Sequence, residues 1–113
     1  VEHKFLPKIQ QRGAEIIQSR GASSASSAAR AACETVSSVE NPTRSGDVFN
    51  AAILSDGSYG VAEGVFSGFP LTSDGMGNIN IVRDFSLSEF AKSRIALTSH
   101  ELVEERELVK DLL

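Results

Sequence analysis

Apolar residues in the first twenty positions fall at Phe5, Ile9, Ile16 and Ile17, with Gly13 on the same face and lysine, arginine and glutamine filling the other. That spacing predicts one amphipathic helix over 2–20. Pro7 is best tolerated in a helix's first turns, so the regular helix is expected to begin near it. Gly21 directly after Arg20 predicts the stop, because glycine enters the left-handed conformation freely and the arginine meets the negative end of the helix dipole.

Past Gly21 the large side chains disappear: residues 21–32 are glycine, alanine or serine except Arg30. Ser23 or Ser24 is placed to cap a second helix that carries Ala28, Ala29, Ala32 and Val36, runs to about Val39 and stops at Asn41-Pro42. From Ser45 the pattern turns to strands, and seven of the nine glycines follow that point. Strands are expected over 47–55, 64–72 and 78–83, the last two joined by a hairpin loop around Asp74-Gly75 and Gly77. Alternation is clearest near the third, where Ile79 and Ile81 point one way and Asn78, Asn80 and Val82 the other.

"FSLSEF" then offers Ser86 as an N-cap with Glu89 three residues on, and Phe85 and Phe90 as a hydrophobic staple. A long helix is predicted from there to Leu112, with Ile95, Leu102, Val109 and Leu113 among its apolar positions and Glu101, Glu104, Glu105, Arg106 and Glu107 on a solvated face. The order of elements predicts an α+β domain of two helices, a three-stranded antiparallel sheet and a long C-terminal helix, with helices covering one face of the sheet.

Composition narrows the function classes. The 113 residues, 41% apolar and 23% charged, suit one globular domain. A net charge of −4 and only seven aromatic residues argue against nucleic acid as a partner, and no apolar run approaches the roughly 20 residues that span a bilayer. The lone Cys33 excludes an internal disulfide, suits a reducing compartment and is expected to be a small buried thiol. The first residues lack both an initiator methionine and an apolar signal core, so the sequence reads as the continuation of a longer chain.

Candidate chemistry is sparse. His3 and His100 are the default acid-base residues, but one lies near the start of the sequence and the other in a charged helical run. His100 and Glu104 stand one turn apart, yet two ligands do not make a metal centre, and no metal is expected. No G-x-S-x-G elbow occurs, and the glycines near Tyr59 lack the strand-turn-helix setting of a phosphate loop. Residues 21–32 then admit three readings: a flexible linker, a helix made for close packing, or a helix N-terminus whose small serines wall an anionic ligand's site.

Three segments resemble one family in order and over nearly the whole chain: "FLPKIQQRGAEIIQSRGASSASSAARAA", "GDVFNAAILSDGSYGVAEGVFSGFPLT" and "DFSLSEFAKSRIALTSHELVEERELVKDLL". They are similar to the C-terminal part of malate dehydrogenases of the NAD-dependent cytosolic and bacterial type, within the lactate/malate dehydrogenase family. The resemblance implies that residues 1–113 are the substrate-side domain of an oxidoreductase interconverting malate and oxaloacetate with NAD, and that a Rossmann NAD-binding domain precedes it. The catalytic histidine and aspartate and the arginines that clamp the dicarboxylate lie upstream in that family, so no catalytic residue is expected here and the isolated segment is expected to be inactive. The family's small-residue turn corresponds to Gly21, Ser23 and Ser24 as substrate-binding positions, Ser23 foremost, and Ser27 is expected to face the nicotinamide. A homodimer and a cytoplasmic location are implied in the same way. The alternative from the residues alone is a stand-alone α+β interaction module without activity.

Overall fold

A computed structural model describes residues 2–112, with side chains from Lys4 onward. Helix α1 spans Glu2–Arg20 and α2 spans Ala25–Glu40; strands β1 (Phe49–Leu54), β2 (Phe66–Ser73) and β3 (Ile79–Ile81) follow, then helix α3 (Glu89–Val109). Short 3-10 turns occupy Ser58–Gly60 and Lys110–Leu112. The chain divides into two compact units, Val1–Glu34 and Thr35–Leu113. The side chain of His3, and Leu113 as a whole, lie outside the described part.

In the first unit α1 is helical from Glu2, so Pro7 lies inside it instead of opening it. Only one ladder bond, to the carbonyl of residue 3, is forfeited, and that loss falls within the first two turns. Phe5, Ile9 and Ile17 remain more than half exposed along the helix. Cys33 is also exposed, contrary to the expectation of a buried thiol, because no described residue covers the alanine-rich surface of α2 around it.

The second unit is built on an antiparallel sheet in the order β1-β2-β3. Phe49 pairs with Leu71, Ala51 with Phe69 and Ile53 with Ser67; on the other side Leu71 pairs with Ile81 and Ser73 with Ile79. The odd-numbered residues therefore share one face, and there the core forms: Val61, Val65, Phe69 and Leu71 are buried, with Ile95, Leu102 and Val103 of α3 packed against them. Phe69 and Leu71 are 1% and 0% exposed, and each full burial contributes about 1.5–3 kcal/mol.

The strands are shorter than the alternation suggests. Gly46 is left-handed and Asp47 closes a turn onto Arg44 O at 3.0 Å, so β1 starts only at Phe49. The β3 ladder reaches Val82, whose N–H donates to Pro70 O at 2.9 Å, and ends there because Pro70 has no N–H to return. The β2–β3 loop is the expected hairpin connection: Asp74 Oδ1 accepts the N–H groups of Met76 at 2.7 Å and Asn78 at 3.1 Å. Gly75 takes φ +73°, and a Cβ there would lie 2.7 Å from Pro42 Cδ, so glycine is required twice over.

Helix α3 starts two residues later than the "FSLSEF" signal suggests. Its N-cap is Ser88, not Ser86, and Ser88 Oγ accepts the Ala91 N–H at 3.2 Å. The Phe85–Phe90 staple does not form around this cap; both rings are partly exposed, and the Arg94 guanidinium lies 5.3 Å from the Phe90 ring centroid. Phe85 and Leu87 instead line an apolar cavity with Tyr59, Val61, Phe69 and Ile95, and winding residue 87 into the helix would withdraw its side chain. The inward stripe of α3 is Ser99, which is buried, with the half-buried Ile95, Leu102 and Val103, while Val109 is 41% exposed. Ser99 is the unexpected member: its hydroxyl accepts the Ala62 N–H at 2.8 Å, tying helix to loop. Arg106 adds a second tie by donating to Glu63 O at 3.2 Å.

Candidate functional site at the small-residue turn

The turn between α1 and α2 is assembled from residues whose chemistry dictates its shape. Gly21 has φ +70° and its N–H donates to Ile17 O at 2.8 Å, the single-bond left-handed cap that closes α1. Ala22 and Ser23 follow outside either helix, and Ser24 is the last residue before α2. Of the two capping candidates Ser24 holds the position, and its hydroxyl lies 2.7 Å from that of Ser27.

Ser27 has one hydroxyl proton and donates it to Ser24 O at 2.9 Å, so the proton between the two hydroxyls comes from Ser24. The two serines satisfy each other and stiffen the first turn of α2. Ser23 is different: it is exposed, its carbonyl accepts the Ala25 N–H at 3.1 Å, and no described group bonds its hydroxyl. The turn is therefore a wall with no side chain larger than serine, a committed pair of hydroxyls at Ser24 and Ser27, and an available hydroxyl at Ser23. Gly21, Ser23, Ser24 and Ser27 lie together in the first unit, as their spacing requires.

A wall is not a reaction centre. It carries no acid, base or cation between Gly21 and Ala29, and the nearest ion pair, Arg30 with Glu34 at 2.7 Å, is exposed along α2. His100 Nδ1 lies 3.6 Å from Glu104 Oε1 on the exposed side of α3, and no cluster of three metal-ligating side chains exists among the described residues. Asp56 is the most displaced carboxyl: the Ser58 hydroxyl, then the Ser58 N–H at 3.0 Å, and the Arg83 guanidinium hold its pKa down at about 2. Asp74 is lowered too, by the Asn78 amide first and the Met76 N–H next. Both carboxylates fasten loops, and neither lines a described cavity.

No helix among the described residues is long and apolar enough to cross a membrane. The one large apolar cavity described, of about 440 Å³, lies in the second unit between Tyr59, Phe69, Phe85 and Ile95. Sequence reading missed it, because its lining comes from a 3-10 turn, a strand, a non-helical stretch and a helix that are far apart in the chain.

Comparison with known proteins agrees with this architecture. Residues 1–113 match the family model described as lactate/malate dehydrogenase, alpha/beta C-terminal domain. A malate dehydrogenase of Magnetococcus marinus is 49% identical over 113 residues, all of this chain but 35% of that protein. The crystal structure of malate dehydrogenase from Naegleria fowleri superposes with a TM-score of 0.87 at 35% identity, covering 97% of this chain and 33% of that one. Trichomonas vaginalis lactate dehydrogenase in complex with NADH and oxamate gives 0.81 at 29% identity over 92% of this chain and 32% of that one. The chain thus spans about a third of the length of the relatives it matches. With the α+β order of elements, the antiparallel three-stranded sheet and the full-length family match, the chain belongs to the lactate/malate dehydrogenase family, as its alpha/beta C-terminal domain.

Proposed function

We propose that this chain is the substrate-side part of an NAD-dependent malate dehydrogenase that interconverts malate and oxaloacetate. The observation that carries the reading is the 49% identity to a malate dehydrogenase along the whole of these 113 residues. The likeness to a lactate dehydrogenase in complex with NADH and oxamate supports a nicotinamide cofactor and a small 2-keto acid in the parent enzyme.

NAD, when bound, supplies or accepts the hydride at the substrate's C2, with a proton moving at the C2 oxygen. The residues here fit one wall of such a site and not its cradle: Gly21 to Ser27 leave room for a flat ring, and they hold neither a phosphate-binding loop nor a cation. In this reading the Ser23 hydroxyl donates to a substrate oxygen, while Gly21 and Ser24 bring the backbone close without filling the space. The Ser24–Ser27 pair fixes the first turn of α2 so that Ser27 faces the nicotinamide without competing for the substrate. Proton transfer and the carboxylate clamp belong to residues of the full-length chain outside these 113, in a Rossmann domain and the segment that follows it. The parent is a cytoplasmic homodimer in this reading.

The test is a comparison of NADH oxidation with oxaloacetate by the full-length protein and by residues 1–113 alone. Turnover by the former and none by the latter is the expected result. Turnover by the isolated 113 residues, or none by the full-length protein, overturns the reading, and the second outcome favours a stand-alone interaction module.

A further inference from the structure

The sequence holds Asp-Gly twice, at 56–57 and 74–75, and each pair follows a serine, Ser55 or Ser73. The two turns are built alike, although one follows β1 and the other begins at the last residue of β2. The Gly57 N–H donates to Ser55 Oγ at 3.1 Å, and the Gly75 N–H donates to Ser73 Oγ at 3.0 Å. Each hydroxyl gives its own proton to a carbonyl elsewhere, Val61 O at 3.1 Å and Val39 O at 2.6 Å, and both serines are buried. The carboxylates match as well. Asp56 Oδ1 accepts the Ser58 N–H at 3.0 Å and Asp74 Oδ1 the Met76 N–H at 2.7 Å, two residues on in both cases. The second oxygens are taken by the Arg83 guanidinium and, at 2.6 Å, by the Asn78 amide.

An Asp-Gly bond is open to a self-modification, because glycine has no side chain to shield its nitrogen. That nitrogen attacks the aspartate Cγ; the N–Cγ bond forms as a Cγ–O bond breaks, and the amide proton leaves with the carboxyl OH as water. Water then reopens the cyclic imide at either carbonyl, which restores aspartate or routes the backbone through the side chain as isoaspartate. No oxidant or cofactor enters, and the product has the starting composition. The step needs a free nitrogen and a carboxyl in its acid form, since an ionised carboxylate repels the incoming lone pair. Both are withheld here: the N–H is bonded to the serine, and the carboxyl is bonded at both oxygens and held ionised.

We propose that Asp56-Gly57 and Asp74-Gly75 are two isoaspartate-forming sites kept silent by one device, a buried serine that binds the glycine N–H from two residues before it. Turning the glycine nitrogen onto Cγ breaks its bond to the serine and pulls the carboxylate off the N–H two residues on, so the turn has to open locally before the reaction starts. The serine resists that opening because its hydroxyl is anchored in turn, by Val61 O in one case and by Val39 O at the end of α2 in the other. Isoaspartate lengthens the backbone by one carbon, which moves the glycine N–H out of register with the serine and makes a brief opening permanent.

The test incubates the full-length protein in heavy-oxygen water at neutral pH and maps its peptides, since each passage through the imide takes up one water oxygen whichever carbonyl reopens. Native protein is expected to take up label at both Asp-Gly bonds at least about tenfold more slowly than the same protein unfolded in urea. Equal rates overturn the proposal, and this comparison needs no variant to fold. Ser73→Ala is expected to speed uptake at 74–75 at least about fivefold relative to 56–57 in the same molecule, and Ser55→Ala the reverse, because each change frees one glycine N–H. Each variant is set against the unchanged protein in enough urea to match its unfolded fraction. No change at the altered turn overturns the proposal, and so does an equal rise at both bonds, which assigns the protection to overall stability. Label uptake needs no turnover, so the outcome stands apart from the enzyme reading.

Discussion

The Tyr59 hydroxyl donates to the Val82 carbonyl at 2.5 Å, the acceptor that faces Pro70 across the end of the sheet. Pro70 takes a bond from Val82 but has no N–H to give back, and a side chain 23 residues upstream of Val82 replaces the missing donor. To reach it, Tyr59 adopts φ 56° and ψ 16°, the one non-glycine residue with positive φ among those described. Such a conformation disfavours a side chain, and the loop accepts it between Gly57 and Gly60, both left-handed themselves.

Removing that hydroxyl leaves the Val82 carbonyl partly buried and unpaired. Tyr59→Phe is expected to lower stability by about 1–3 kcal/mol, read from denaturant unfolding of the full-length protein. In a Pro70→Ala background the loss is expected to shrink, because residue 70 then supplies its own N–H. Equal losses in both backgrounds would show that the hydroxyl and the ladder do not share one acceptor.

Asp56 titrates well below an ordinary carboxyl, at about 2 against 3.8, held by the Ser58 hydroxyl and N–H and by Arg83. Because the folded pKa is the depressed one, the ionised form's stabilisation is fully present above 3.8 and is lost as pH falls toward 2. Asp56→Asn is therefore expected to destabilise the protein at neutral pH and to converge with the parent in strong acid. A difference that stays constant through this window would mean that ionisation of Asp56 does not fasten the loop.

Ser23 lies outside both helices, and no described group bonds its hydroxyl. In the full-length enzyme Ser23→Leu fills the space and is expected to raise the KM for oxaloacetate by at least about tenfold, while Ser23→Ala, which removes one hydrogen bond, raises it by a smaller factor. Unchanged kinetics in both variants would remove Ser23 from the site.

How much was legible depended on the range of the forces involved. The helix stop at Gly21, the turn at Asp74–Asn78 and three antiparallel strands follow from local chemistry, and each is present as the residues suggest. The cap of α3 misled because Ser86 and Ser88 are equally good by propensity. Packing chose between them, since Leu87 lines a cavity whose other walls come from distant residues. Ser99 was invisible for a similar reason: a serine on a helix reads as solvated until a loop arrives with an N–H to bond. The small-residue turn was visible as composition, and the structure adds that its serines are unequal, with Ser24 and Ser27 bonded to each other and Ser23 left available.

By itself the sequence determined the elements, their order and the family, because periodicity, caps and turn residues act over a few positions and the motifs are carried intact. Only tertiary structure decided which apolar residues are buried and where β3 ends and α3 begins. Those outcomes turn on one missing N–H at Pro70 and on side chains brought together from Tyr59 to Ile95, and no local pattern encodes a contact between residues so far apart.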